Sequence, residues 1–504
     1  MDVTDRRGSS GTLLATCVSA LVVNANTSAV AILLPAISDD TGTPVSTLQW
    51  AVTGYSLVGA ATIVTAGALG DVFGRRKIFL GGLLLFVASC AMIALAQGGG
   101  GVIAGRCIQG AAGSTILACG MSLLSAANTG EEQLRAVTLW GAASAIGAAA
   151  GPLVGGLLVE VTGWQGLFWI DAVIAAACIP LTLARTAESR DPNRSRSIDF
   201  PGTLLIALTL AALIFALSKG QEWGWLSGRT IGCLVLSVAA LVAFVVVEQR
   251  RAAPLLDLRL LRNKVLVGAT VSILIGSGTL NAIMYVISLY FQDPATLGMS
   301  ALQAGLATLP VAAAAVILAP LITPIVGKIG ARTTIVSGFV IMTVAFVWLA
   351  FVDDSWKYAA FVVPLVASAV GMSLQNGPAS SISTAVVSPD EVGAASGVSN
   401  MARYVGASVM TAIVASIYAG VSAHRVAAGN STAGALAAGV SRTAIAMALW
   451  CVLGVLVALL IGRLRPGKPR PLDYATAAAG TTHTLHAPAA RAQSSRSGAE
   501  VPAA

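Results

Sequence analysis

Long apolar runs separated by short polar loops fill almost the whole chain, and their length is the first constraint. A helix needs about 20 apolar residues to cross a bilayer. Fourteen runs meet that ruler: residues 13–37, 47–69, 78–96, 102–124, 137–159, 167–183, 202–217, 231–247, 266–291, 301–326, 333–352, 358–378, 394–419 and 442–461. The pattern predicts an all-α membrane protein with 14 transmembrane helices. Two connections, 185–199 and 248–264, are longer and richer in charge than the rest, and they bracket spanners seven and eight. That divides the chain into a polar start at 1–12, a six-helix bundle at 13–185, linkers with a two-helix insert at 186–263, and a second six-helix bundle at 264–463. Such a layout is expected of an internally duplicated transporter carrying an extra hairpin. The tail at 464–504 is Ala, Thr, Ser, Pro and Gly with scattered charges, a composition that predicts disorder.

Composition agrees with the pattern. Hydrophobic residues make up 56% of the 504 and charged ones only 10%, with a mean hydropathy of +0.83, which excludes a soluble globular domain. A net charge of +8 would point to nucleic acid in a soluble protein, but here the bases sit in short loops. Arg6, Arg7, Arg75, Arg76, Lys77, Arg135, Arg185, the stretch 250–264, Lys328, Arg332 and the stretch 463–470 fall on one side. The other side holds Lys219, Arg229, Lys357 and Arg425, with acids such as Asp39, Asp40, Asp353 and Asp354. The positive-inside rule then puts both termini in the cytoplasm of a protein of the cell membrane. Trp50, Trp164, Trp223, Trp225, Trp348 and Trp356 fall at the expected outer ends and Trp140 at an inner one, as interfacial anchors do.

Other chemistry is thin. The seven cysteines lie in or beside apolar runs without metal spacing and read as small hydrophobes. His424, His483 and His486 lie outside the spanners, so no metal, cofactor or acid-base enzyme site is expected. No phosphate-binding Gly-rich Lys-Ser loop supports ATP drive.

Two stretches stand out from hydropathy. In the fifth spanner the chain reads Gly147-Ala-Ala-Ala-Gly151-Pro152-Leu-Val-Gly155-Gly156. Glycines at 147, 151 and 155 recur every four residues, so on a helix they form one groove without side chains, and Pro152 removes a backbone donor. Such a segment is a poor helix in water, at about 1 kcal/mol per glycine and about 3 for proline. In lipid the backbone has no competing partner, and the reading is a spanner that packs tightly and bends. The plainer alternative is a small-residue seam between two spanners. Between spanners two and three stands Gly67-Ala-Leu-Gly-Asp71-Val-Phe-Gly74-Arg75-Arg76-Lys77. An echo lies 256 residues on, keeping Gly330 and Arg332 but placing Gly327 where Asp71 stands.

That loop closely resembles the signature of the major facilitator superfamily, and further stretches resemble its fourteen-spanner drug:proton antiporter branch over most of the chain from Asn24 to about Gly420. The glycine-proline element of spanner five is similar to the antiporter motif, Trp50 to Tyr55 to the start of helix two, and Arg106-Cys-Ile-Gln109-Gly110 to the helix-four motif. Trp164 to Asp171, Asp199 to Gly202, Pro254 to Arg259, Leu302 to Pro310 and Ala395 to Arg403 are similar as well. The resemblance implies a major facilitator fold, export driven by protons through alternating access, and a conformational latch in the loop. In that latch Asp71 would face the start of spanner thirteen near Gly393 and Ala394, and Arg75 would pair with Glu131 or Glu132. The expected partners are a small amphiphilic substrate, a proton and the lipid bilayer, with no nucleic acid, and a monomer is expected.

The sequence departs from the branch in spanner one, where Asn26 stands in place of the usual aspartate and Ser28 at the hydroxyl position. An amide does not titrate, so the aspartate's role does not transfer to Asn26. Gln165 replaces an arginine and Asp171 an asparagine in the tryptophan motif, which suggests that the acid has moved. Arg106, Asp171 and Arg403 are therefore the candidates for proton coupling, since ionisable groups in lipid are costly and invite a functional reading. Asn24, Asn26, Gln109, Asn281, Gln375 and Asn376 are candidates to line the substrate cavity, each with the alternative of an interhelical hydrogen bond. The lining is mainly neutral and suits amphiphilic or uncharged cargo better than strong cations. A second reading keeps the fold and exports an endogenous lipid, glycolipid or secondary metabolite.

Overall fold

The computed structural model describes residues 3–128, 130–190, 199–251, 258–387 and 392–461. The tail expected to be disordered lies outside them. Among the described residues 14 helices are long and apolar enough to cross a membrane. They are α1 (Val3–Thr41), α2 (Trp50–Phe73), α3 (Arg75–Ala94), α4 (Gly99–Ala127), α5 (Gly130–Thr162), α6 (Gln165–Arg185), α7 (Phe200–Trp223), α8 (Gly228–Arg250), α9 (Lys264–Gln292), α10 (Ala301–Ala307, resuming as Leu309–Ile329), α11 (Ala331–Leu349), α12 (Tyr358–Ala385), α13 (Val392–Ala427) and α14 (Thr432–Leu460). Each runs where an apolar stretch predicts it. The largest shifts are at the starts of α1, at Val3 rather than 13, and of α14, at Thr432 rather than 442, where α14 is capped by the Ser431 hydroxyl accepting from the Gly434 amide at 3.2 Å. Its first turns are Ala and Gly, too small to register as an apolar run.

The helices pair in the same way twice. In the first half α5 packs on α1, α4 on α2 and α3, and α6 on α3; eight helices on, α13 packs on α9, α12 on α10 and α11, and α14 on α11. The echo in the loops has a structural counterpart. Gly74 (φ 114°) links α2 to α3 and Gly330 (φ 83°) links α10 to α11, both in the left-handed region that favours glycine. Arg76 donates to the Leu183 carbonyl at 2.6 Å, and Arg332 to the Ala458 carbonyl at 3.3 Å and to that of Leu459. Each arginine thus places its charge at the carbonyl end of the sixth helix of its half, where the helix dipole is negative.

The face bearing Arg75, Arg76, Lys77, Arg185 and Arg332 is called the basic face here, and the opposite one the far face. Helices α7 and α8 form a hairpin tied by Ser237 Oγ donating to the Thr209 carbonyl at 2.9 Å. It lies on the seam between halves: Ile206, Leu210 and Phe244 pack with Leu57 and Ala60 of α2 and with Met401, Tyr404 and Val405 of α13. Large apolar side chains such as Leu84, Val173, Leu204 and Leu449 remain exposed, as a lipid-facing surface requires. All seven cysteines are thiols.

Two tryptophans differ from the anchor expectation. Trp164 is buried and donates through Nε1 to Asp40 Oδ2 at 2.9 Å, fixing the α5–α6 turn to the end of α1. Trp50 stacks on Phe215 of the hairpin with ring centroids 4.8 Å apart. A side-chain partner in the protein outweighs the headgroup region for both.

Candidate coupling site and the seam between the halves

Five helices of the first half send polar side chains to one point. Asn26 of α1 is fully buried, and its amide bridges two charges: Oδ1 accepts from Arg106 Nη1 of α4 at 2.5 Å, and Nδ2 donates to Asp171 Oδ2 of α6 at 2.7 Å. The orientation of the amide follows from electrostatics, since a guanidinium demands an acceptor and a carboxylate a donor. Arg106 also donates to the Ala51 carbonyl of α2 at 3.0 Å and to Gln109 Oε1, and its Cζ lies 4.2 Å over the Tyr55 ring. Gln109 Nε2 in turn donates to Cys90 Sγ of α3 at 3.0 Å. An isolated charge in such a place would cost far more than a hydrogen bond returns. Pairing through Asn26 lets both charges stay.

The sequence marks Arg106 and Asp171 as coupling candidates without saying that they meet. The structure buries Asp171 to 4% exposure and joins it to Arg106 through Asn26. Asp171 thus stands against Asn26, the spanner-one position at which the resemblance expects an aspartate. Tyr55 and Cys90 were missed as partners, and only the Arg106-to-Gln109 spacing on one helix face hinted at the cluster.

The glycine stripe of α5 is filled by backbone. A methyl group added at Gly147 would meet the Leu21 carbonyl, one at Gly151 the Ala25 carbonyl and Ser28 Oγ, and one at Gly155 Ala29 and Leu33, all on α1. The adjoining face meets the other half. A methyl at Gly156 would strike the Ala301 carbonyl and Leu302 of α10, while one at Gly305 would strike the Pro152 carbonyl and Leu153. Ser300 Oγ just before α10 donates to Glu160 Oε1. The same ten residues therefore form a seam within the first half and a junction to the second. Near by, Ser288 Oγ of α9 donates to the Ala31 carbonyl of α1 at 2.9 Å, so the halves also touch toward the far face through α1 and α9. Among the described residues, contacts of this kind between α4 and α12 are sparse or lacking.

In the loop after α2 Arg75 pairs with Asp71, Nε and Nη2 each 3.0 Å from Oδ1, across the Gly74 turn. Of the acids expected to pair with Arg75, Glu132 is exposed and the Glu131 side chain lies outside the described residues. Glu188, which sequence reasoning missed, covers the turn: Oε1 accepts the Arg76 amide at 3.0 Å, and a methyl at Gly74 would strike its carboxylate. A carboxylate at the first amides of α3 is where a helix dipole draws an anion. The signal available was an acid just past spanner six, opposite a basic loop. As for Asp71 and α13, Val64 of α2 lies against Gly397. From that contact Asp71 is seven residues toward the basic face and Val392, the first of α13, is five, about 10 and 7 Å along their helices. The side chains at Gly393 and Ala394 lie outside the described residues. Gly67 has open space where a side chain would be.

The candidate lining residues split. Asn26, Gln109 and Gln375 are fully buried, Gln375 donating to the Ser272 carbonyl at 2.7 Å. Asn24, Asn281 and Asn376 are half-buried, the first two donating to the backbone of their own helices at 2.8 and 3.0 Å. Arg403 lies in the other half from Arg106 and Asp171. It donates to Ser380 Oγ of α12 at 2.6 Å, with no carboxylate within ion-pair distance among the described residues.

A helix pairing that recurs in the two halves, a bridging hairpin and a junction helix touching both halves give a multi-pass membrane protein with the layout of an internally duplicated transporter. The chain belongs to the Major Facilitator Superfamily, whose pattern matches residues 16–411. It is 30% identical over 409 residues to "Multidrug resistance protein Stp" of Mycobacterium tuberculosis, covering 81% of this chain and 75% of that one. It is also 29% identical over 410 residues to "Cephamycin export protein CmcT" of Amycolatopsis lactamdurans, covering 80% and 84%. The fold matches the crystal structure of an auto-inhibited POT family peptide transporter with a TM-score of 0.66 at 16% identity, over 90% of this chain and 96% of that one.

Proposed function

We propose that the protein is a secondary active exporter of amphiphilic small molecules, driven by protons and working by alternating access between its two six-helix halves. The observation that carries this reading is the double contact of α5, whose residues 147–156 bind α1 on one side and α10 on the other. A change in the first half is thereby felt directly at the junction. Chain termini in the cytoplasm follow from the bases gathered on one face, and the halves meet along α1–α9, α5–α10 and α2–α13. The loop of Gly67, Asp71, Gly74, Arg75, Arg76 and Glu188 acts as the latch, with Asp71 near the first turn of α13. The half-buried Asn24, Asn281 and Asn376 contribute to the cargo's path, and Asn26, Gln109 and Gln375 hold the surrounding helices.

Arg106, Asn26 and Asp171 form the coupling site. With Asp171 ionised the cluster is balanced; once Asp171 is protonated, Arg106 is left with an uncompensated charge in a dry core. That imbalance is of the several-kcal/mol scale that separates conformational states. The test is efflux from proteoliposomes under an imposed pH gradient. Asp171→Asn should keep movement of an amphiphile down its own gradient and lose the acceleration by ΔpH. Unchanged pH-driven efflux in that variant would remove Asp171 from the account. The likeness to a protein named for cephamycin export supports a second reading, with a single metabolite made by the cell as cargo, and competition between that metabolite class and unrelated amphiphiles separates the two.

A further inference from the structure

Among the described residues the half-buried Arg403 of the second half has no carboxylate within ion-pair distance. Arg403 stands on α13, nine residues beyond Ala394, and among the described residues its side chain donates from Nη2 to Ser380 Oγ at 2.6 Å. Its Nε is sealed from solvent without a partner. One turn before Ser380 on α12, Asn376 Oδ1 is likewise sealed and unpartnered. Between residues 395 and 418 no residue of α13 is exposed, so Arg403 does not reach a lipid-facing flank where a phosphate headgroup would meet it. Nearby side chains on α12 and α13 are hydroxyls, Ser380 and the Ser383–Ser399 pair at 2.9 Å, all neutral. Arg106 in the first half shows what a buried arginine in this protein otherwise has: a carboxylate one amide away.

We propose that Arg403, Ser380 and Asn376 form a recognition site for the acidic group of an anionic amphiphile, so that the preferred cargo bears a carboxylate or a group of similar charge and size. Guanidinium Nε and Nη2 present the forked donor pair that a carboxylate accepts. The Ser380 hydroxyl accepts from Nη2 and donates to the Asn376 carbonyl at 2.8 Å, so the hydroxyl and the Asn376 amide stand one turn apart on the face of α12 that meets Arg403. The apolar remainder of the cargo lies among the small and apolar side chains that separate the halves. The assignment rests on the exporter reading and narrows it: an anion enters as the missing counter-charge, and a lipophilic cation is repelled by a charge already present.

The test uses the full-length protein in detergent with two probes, dansylamino-undecanoic acid and its carboxamide, and reads the ratio of their affinities by fluorescence. Wild type should prefer the acid by about tenfold or more, as a charge-assisted pair of hydrogen bonds gives. The preference should vanish in Arg403→Gln and partly survive in Arg403→Lys. Equal affinities in wild type, or an unchanged preference in Arg403→Gln, would overturn the site. So would thermal protection by millimolar chloride that needs Arg403 while acid and amide bind alike, since Arg403 would then hold a free anion instead of cargo. If Arg403→Gln does not fold, the wild-type ratio and Arg403→Lys still decide. Proteoliposome efflux of the acid is measured in parallel. Acid preference in binding without efflux would count against the exporter reading and leave the site standing, whereas efflux of both probes without preference would do the reverse.

Discussion

Among the described residues the first half of the protein holds a buried arginine and a buried aspartate, and the second half, built on the same helix pairing, holds a half-buried arginine with no carboxylate at ion-pair distance. Arg106 reaches Asp171 through Asn26, while Arg403 reaches a serine. The loops differ in the same sense: Asp71 stands in the first and Gly327 in the second, though Arg76 and Arg332 cap equivalent helices. Duplication therefore kept what packing needs and let charge diverge. The first half has the groups to bind and release a proton internally, and the second lacks an acid to do so among its described core residues.

Removing one partner of a buried pair strands the other, so the contrast should appear first in stability. Arg106→Leu should cost about 3–5 kcal/mol in thermal unfolding of the detergent-solubilised protein, and adding Asp171→Asn should recover much of it. Arg403→Leu strands nothing and should be neutral or stabilising; an equal loss for both arginines would erase the distinction between the halves. Next in size are the backbone contacts. Gly151→Val drives a side chain into the Ala25 carbonyl, and Gly406→Val does the same to the Leu274 carbonyl of α9. Each should cost about 1–3 kcal/mol or more by overpacking, whereas Gly81→Ala, with open space around it, should be silent in the same melt. Smaller still is the latch: Asp71→Asn should leave insertion intact and slow transport severalfold, on the scale of about 1 kcal/mol for a partly exposed pair. The least effect, about 0.3–1 kcal/mol, is expected of Arg76→Ala and Arg332→Ala, and the two should be alike because the caps are equivalent.

Most of the fold was legible because lipid simplifies the code. Fourteen apolar runs became fourteen helices, and the pairing of the first six helices recurs in the last six. Boundaries failed where small residues blur hydropathy, as at Thr432. The glycine stripe announced a close approach but not its partners, since α1 and α10 are distant in sequence and only three-dimensional packing brings them to α5. The coupling cluster was half legible: intramembrane charges at 106 and 171 were visible, but Asn26 looked like a lost acid when it is the bridge between them. For the latch, the motif named the residues of the loop without saying which of several nearby acids Arg75 selects, and the structure pairs it with Asp71. Glu188 had no motif at all.

The central claim is that the two halves part at the α5–α10 junction during each transport cycle. Glu160 and Ser300 meet across that junction toward the far face, and cysteines placed at both positions in a cysteine-free background should form a disulfide on mild oxidation. The account predicts that oxidation stops efflux from proteoliposomes and that reduction restores it, with either single cysteine unaffected. Full efflux while the disulfide is intact would contradict it.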